Sequence, residues 1–111
     1  MNPKAYIGTA NGGWVDECQF LNTLENVIDE RITSKRQGSY TYSLYTGGVS
    51  LISKKVGEEA VEVAVAAMAG DRDWVIRESA DLIYHLLVLL RAMGLSLSDV
   101  CRELRRRHEG G

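Results

Sequence analysis

After Pro3 the chain contains no proline, and glycines punctuate its helical portion at only a few points, chiefly Gly47–Gly48, Gly70 and Gly94. Proline is the residue that most reliably stops a helix, so its absence leaves long helices free to run between those glycines. Phe20, Leu24, Val27, Ile28 and Ile32 recur at helical spacing and predict a first helix from about Asp16 to Ser34. RQGSYTYSLYTGG, residues 36–48, interrupts the pattern, and its Ser, Thr, Tyr and Gly content reads as a loop with at most one helical turn. A second helix is expected from about Val49 to Ala69, stopped by Gly70, with Asp71 or Asp73 as the next N-cap. The third, about Trp74 to Met93, ends at Gly94. Ser96 with Asp99 resembles a capping box that opens a fourth helix, whose apolar stripe is Leu97, Val100, Cys101 and Leu104. No alternating segment suggests a strand. Residues 1–13 have no periodicity and read as a mobile arm ahead of a single domain over 14–111. The fold class is therefore all-α, bundle-like and built on four helices.

At 111 residues, folding hides only roughly 65% of the unfolded chain's surface. The third helix is apolar around most of its circumference, more than four short helices can cover, so a homodimer or larger assembly is expected. Lys and Arg number 13 against 15 Asp and Glu, for a net charge of −2. No general basic field exists to attract nucleic acid or an anionic membrane, and any phosphate binding must be local. The longest apolar stretch, Leu86–Leu90, is far short of the roughly 20 residues a membrane span needs. Cys18 and Cys101 are too few and too distant for a disulfide framework, which points to reduced, inert thiols and a cytoplasmic protein.

The chemistry lies in the acids. At 100° per residue, Glu58, Glu62 and Glu59 fall at about 0°, 40° and 100° on the second helix. Taken alone this is the pattern of a solvated face, with Lys54 four residues before Glu58 and Lys55 four before Glu59 to form weak surface pairs. The third helix shifts the balance. Glu78, Asp81 and His85 form a narrow stripe flanked by Leu82, Val88 and Leu89, while Arg77, Tyr84 and Arg91 form a separate polar seam that supplies the outward edge. Glu78 and Asp81 are then expected to be at least half buried. Buried carboxylates are costly unless paired or metal-bound, and too few cations are aimed at these positions to neutralise five acids. A divalent cation would do so. Mg²⁺ takes oxygen ligands and is commonly held by a few carboxylates together with substrate phosphates. Pairs at i, i+3 on two facing helices, Glu59 with Glu62 and Glu78 with Asp81, suit that task. Gly57 costs a helix interior about 1 kcal/mol relative to alanine, and is explained either by something approaching the backbone beside Glu58 or by a plain helix contact.

Other metals fit less well. A di-iron carboxylate bundle wants Glu-x-x-His, whereas His85 follows Asp81 by four and the second helix has no histidine. Zinc wants His and Cys at ligand spacing, which His85, His108, Cys18 and Cys101 lack. His85 reads instead as a hydrogen-bonded core histidine, and no Walker-type phosphate loop is present.

GSYTYSLY, KKVGEEAVEV, ESADLIYHLLVLL and VCRELRRRH, in this order and spacing, resemble phosphoribosyl-ATP pyrophosphohydrolases over roughly Leu21 to His108. The wider all-α nucleoside-triphosphate pyrophosphohydrolase (MazG-like) superfamily shares the E-x-x-E and E-x-x-D pairs, while Ser-Tyr-Thr and the Tyr-His after the second pair point to this member. The resemblance implies the second step of histidine biosynthesis in its stand-alone form: hydrolysis of phosphoribosyl-ATP between the α and β phosphates. It implies Glu59, Glu62, Glu78 and Asp81 as Mg²⁺ ligands, with Glu58 as the acid that orients or deprotonates water. Lys54 and Lys55 are candidate phosphate contacts, and Ser39, Tyr40 and Thr41 candidate hydroxyl donors or an aromatic face for the nucleotide. RELRRRH reads as a solvated helix end. The alternatives are a superfamily enzyme acting on dNTPs and a helical dimerisation module without chemistry.

Overall fold

A computed structural model describes residues 13–110, with side chains from Gln19 onward. It contains α1 (Gly13–Thr33), α2 (Tyr40–Met68), α3 (Arg72–Ala92) and α4 (Leu97–Gly110), and no strand among the described residues. Of the arm expected over 1–13, residues 1–12 lie outside the described residues and Gly13 already belongs to α1.

The helix ends are set by local chemistry. Gly70 sits at φ 71° and closes α2 in a Schellman turn, with Gly70 N–H donating to Ala67 O and Asp71 N–H to Ala66 O. Asp71 then caps α3 by accepting from Trp74 N–H at 3.0 Å. Gly94, at φ 73°, repeats the Schellman device at the end of α3. Ser96 and Asp99 form the reciprocal capping box of α4. At the end of α1 the left-handed position falls on Lys35, at φ 53°.

One expectation is corrected. Residues 40–47 are not a loop but the first two turns of α2, capped by Ser39, whose Oγ accepts from Tyr42 N–H. Their polar composition hid the helix because Thr41 and Leu44 are buried by tertiary contact rather than by a long apolar stripe. The interruption is confined to Gly48, at φ 85° and ψ 174°, a conformation open essentially to glycine alone. At its neighbour Gly47 a Cβ would meet the tip of the Leu51 side chain, which would have to shift to make room.

The core gathers Ile28 and Ile32 of α1, Leu44 and Ile52 of α2, and Leu87, Val88 and Leu90 of α3. α1 is tied across it by an ion pair between Asp29 and Arg91 and by Glu25, whose carboxylate accepts from Leu97 N–H at 2.8 Å at the N-terminus of α4. The chain turns through 104° between α3 and α4. α4 buries none of its residues and meets the core only through Leu97 and Val100, so three helices rather than four share the interior. Its arginines stay exposed and pair locally, Arg106 and Arg107 with Glu103. No single helix among the described residues is long and apolar enough to cross a membrane.

Gly48→Ala should destabilise the protein by about 1–3 kcal/mol, read as a lowered thermal midpoint, because the Cβ must occupy a strained backbone region. An unchanged midpoint would mean that the kink relaxes at no cost.

Candidate active site

The tight Gly70 turn sends α3 back along α2, and midway along the pair Glu59 of α2 meets Glu78 and Asp81 of α3. One carboxylate oxygen from each lies within 4.8 Å of the others. Glu59 and Glu78 are half-buried. Asp81 is exposed, contrary to expectation, because it stands at the edge of the contact between α2 and α3, next to the exposed Arg77 one turn back.

The Glu59 and Glu78 carboxylates lie close enough to share a proton in a hydrogen bond. That bond first, then burial and the charges of Glu78, Asp81 and Glu62, push the Glu59 carboxyl up to about 7. The cluster thus concentrates more negative charge than the chain neutralises.

The other two acids of α2 stand outside this cluster. Glu58 and Glu62 are exposed and line a shallow groove with Ser53, Lys54, Gly57 and Val61. Glu62 still lies close enough to repel a charge on Glu59. Lys55 pairs at 3.7 Å with Glu58, three residues on, and not with Glu59, whose carboxylate is turned to α3. Lys54 makes no ion pair among the described residues. A Cβ added at Gly57 would meet nothing within 4 Å, so neither of the contacts suggested for that glycine is made within one chain.

Beside the cluster stands an aromatic group that joins the start of α2 to α3. The Tyr40 hydroxyl lies 2.8 Å from His85 Nε2, and His85 Nδ1 lies 2.7 Å from the backbone carbonyl of Asp81. Thr41 Oγ1 is hydrogen-bonded to the Tyr84 hydroxyl. The Tyr40 and Tyr84 rings are stacked at 6.2 Å, and His85 meets each edge-on, at 5.8 Å and 5.3 Å. The Tyr40 hydroxyl titrates above its ordinary value because of partial burial, with Lys55 opposing and Tyr84, Glu59 and Asp81 adding to the rise. Lys55 and the acid cluster are therefore within electrostatic reach of that phenol.

Among the residues singled out from sequence, Tyr40 is exposed on the site, Thr41 is buried against Tyr84, and Ser39 is buried as the helix cap. His85 is the hydrogen-bonded core histidine its position suggested. Tyr84 is the residue the sequence misplaced: assigned to an outward seam, it is packed into the aromatic group. The signal was its place one turn beyond Asp81, on the side that faces residues 40–41.

The sequence profile of the phosphoribosyl-ATP pyrophosphohydrolase family matches residues 21–108. The chain is similar to the phosphoribosyl-ATP pyrophosphatase of Pyrobaculum aerophilum, 63% identical over 90 residues that cover 81% of this chain and 96% of the relative. It is 58% identical, with the same coverage, to the phosphoribosyl-ATP pyrophosphatase of Pyrobaculum islandicum. It is also similar to the histidine biosynthesis bifunctional protein HisIE of Vibrio cholerae, 46% identical over 98% of this chain and 54% of the relative. A profile match that spans the acid cluster and the aromatic group alike, with such identity along nearly the whole of two relatives, establishes that the chain belongs to the phosphoribosyl-ATP pyrophosphohydrolase family.

Proposed function

We infer that the protein hydrolyses phosphoribosyl-ATP to phosphoribosyl-AMP and pyrophosphate, the second step of histidine biosynthesis. The observation that carries this reading beyond family membership is the cluster of Glu59, Glu78 and Asp81. Its donors are all carboxylate oxygens, its ligand atoms lie within 4.8 Å of one another, and its excess charge raises Glu59, so it fits a hard divalent cation such as Mg²⁺. These three residues would hold the ion, with the exposed Glu62, three residues beyond Glu59, completing the set. When bound, Mg²⁺ polarises phosphate oxygens and offsets the charge that develops on pyrophosphate.

The remaining roles fall to this chain's own side chains. Glu58 orients the attacking water and takes its proton as oxygen bonds to the α phosphorus and the α–β anhydride bond breaks, the electron pair leaving with pyrophosphate. Lys55, between Glu58 and the Tyr40 phenol, meets the phosphates, and Lys54 supports it from the groove side. Tyr40 offers its ring to the nucleotide. Ser39 and Thr41 hold that ring in place, one by capping α2 and the other by bonding Tyr84. The active unit is a homodimer, because Val61 and Met68 on α2 and Ile76 on α3 stand 61%, 90% and 66% exposed in the single chain.

Pyrophosphate release measured with phosphoribosyl-ATP against a panel of dNTPs tests the reaction. Preference for a dNTP would assign the same acids to a different substrate, and weak, diffuse Mg²⁺ binding without turnover would leave only a helical pairing module.

Glu62→Gln should cut turnover about a hundredfold, roughly 2.7 kcal/mol of transition-state stabilisation, and raise the Mg²⁺ concentration for half-maximal rate. An unaltered Mg²⁺ dependence would remove Glu62 from the ligand set.

In EDTA, Glu59 keeps a proton in the folded state up to about pH 7 that the unfolded chain loses near 4.5. The corresponding stability is complete at low pH and falls as pH rises through about 7. The thermal midpoint of the metal-free protein should therefore drop between about pH 5 and pH 8, Glu59→Gln should flatten that slope, and Mg²⁺ should restore the midpoint at the upper pH. A slope that survives Glu59→Gln would place its origin elsewhere.

Sedimentation equilibrium should give twice the 12.3 kDa chain mass, and Val65→Asp, on the exposed face of α2, should shift the protein to monomer. A wild-type monomer at micromolar concentration would refute the dimer.

A further inference from the structure

The link between the Tyr40 phenol and the Asp81 backbone goes through one buried side chain. His85 is only 5% exposed, lies one turn beyond Asp81 on α3, and uses both ring nitrogens. A backbone carbonyl can only accept, so the 2.7 Å contact to Asp81 O requires the proton on Nδ1. In the neutral ring Nε2 is then an acceptor, and the Tyr40 hydroxyl must be the donor across 2.8 Å. The direction of the chain is fixed: Tyr40 O–H to Nε2, Nδ1–H to Asp81 O.

Tyr40 has a site on either side of it. Its phenol feels the charges of Lys55, Glu59 and Asp81. Its other surroundings are an open groove of about 540 Å³ at the start of α2, lined by Gln37, Gly38, Tyr42, Ser43 and Thr46. Tyr40 is 51% exposed as a residue although its hydroxyl is engaged, so the side chain stays accessible while its end is anchored. An exposed tyrosine held by two χ angles alone would sample several rotamers; one tethered to a buried imidazole does not.

We propose that His85 is a positioning residue: its single tautomer fixes the Tyr40 ring as the wall between the carboxylate cluster and the Gln37–Thr46 groove, where the ring-bearing, non-pyrophosphate portion of the nucleotide packs. The proposal rests on the nucleotide pyrophosphohydrolase reading above. His85 touches neither phosphate nor metal ligand carboxylate and acts through Tyr40. Gln37, Ser43 and Thr46 supply the groove with amide and hydroxyl groups of the kind that recognise ribose and base edges.

The test is a mutant cycle on the full-length protein with phosphoribosyl-ATP. Tyr40→Phe and His85→Met should each raise KM about tenfold while kcat falls by less than about threefold, and the double variant should be no worse than either alone. His85→Gln, whose carbonyl replaces Nε2 as acceptor, should recover KM to within about threefold of wild type. Multiplying effects in the double variant, or a lowered thermal midpoint with KM unchanged in His85→Met, would overturn the proposal. The ¹⁵N imidazole spectrum of the unsubstituted protein decides the matter if His85→Met fails to fold: it must show a protonated Nδ1 and an accepting Nε2 that loses its hydrogen bond in Tyr40→Phe. A proton on Nε2 would overturn the proposal outright. If wild type leaves phosphoribosyl-ATP intact, the assigned reaction fails, while the same spectrum still decides whether His85 holds Tyr40.

Discussion

The register between α2 and α3 is set at one turn, and nearly everything else in the molecule inherits it. Gly70 and the Asp71 cap leave so little chain between the helices that the residues of α2 beyond Gly48 have fixed counterparts on α3. Near the far end of the pair that register packs Ile52 with Val88 in the core, and midway it opposes Glu59 to Glu78 and Asp81. A slip of one helical turn would separate the carboxylates by about 5.4 Å along the axis and bring apolar residues against them. The same short turn therefore specifies both the interior and the place where negative charge accumulates.

Stability and charge are divided along the helices. The buried apolar residues lie mainly toward the Leu44–Ile52 and Leu87–Leu90 end, where α1 crosses, whereas near the Gly70 turn only Ala66 is buried and Val65, Met68 and Ile76 stand open. The acids occupy the boundary between these regions. This arrangement lets a well-packed end tolerate carboxylates whose mutual repulsion would otherwise destabilise the pair.

The features legible in the sequence were those whose cause is local. Gly70, Gly94, the Asp71 cap and the Ser96–Asp99 box each depend on residues within five positions, and all four form. The helical character of residues 40–47 depends instead on partners some 43 to 45 residues away, Tyr84 and His85, and no local pattern reports them. Tyr84 was misassigned for the converse reason: periodicity located an edge of α3, but a phenol at that edge finds an interior partner in Thr41. The acid pairs were visible as spacing, yet spacing could not show that Glu59 turns to α3 while Glu58 and Glu62 face the groove, because that choice is made by which face α3 covers.

Gly48 divides α2 into two pieces with different obligations. Beyond the kink, the helix is committed to the carboxylates and to the packing that keeps them opposed to α3. Before it, residues 40–47 carry the groove and the Tyr40 ring, and their direction is set by one pair of backbone angles together with the bonds to Tyr84 and His85. On the proposed assignment, substitutions upstream of Gly48 would reshape what the site accepts without disturbing the acids, so selectivity and hydrolytic chemistry would be separable along one continuous helix.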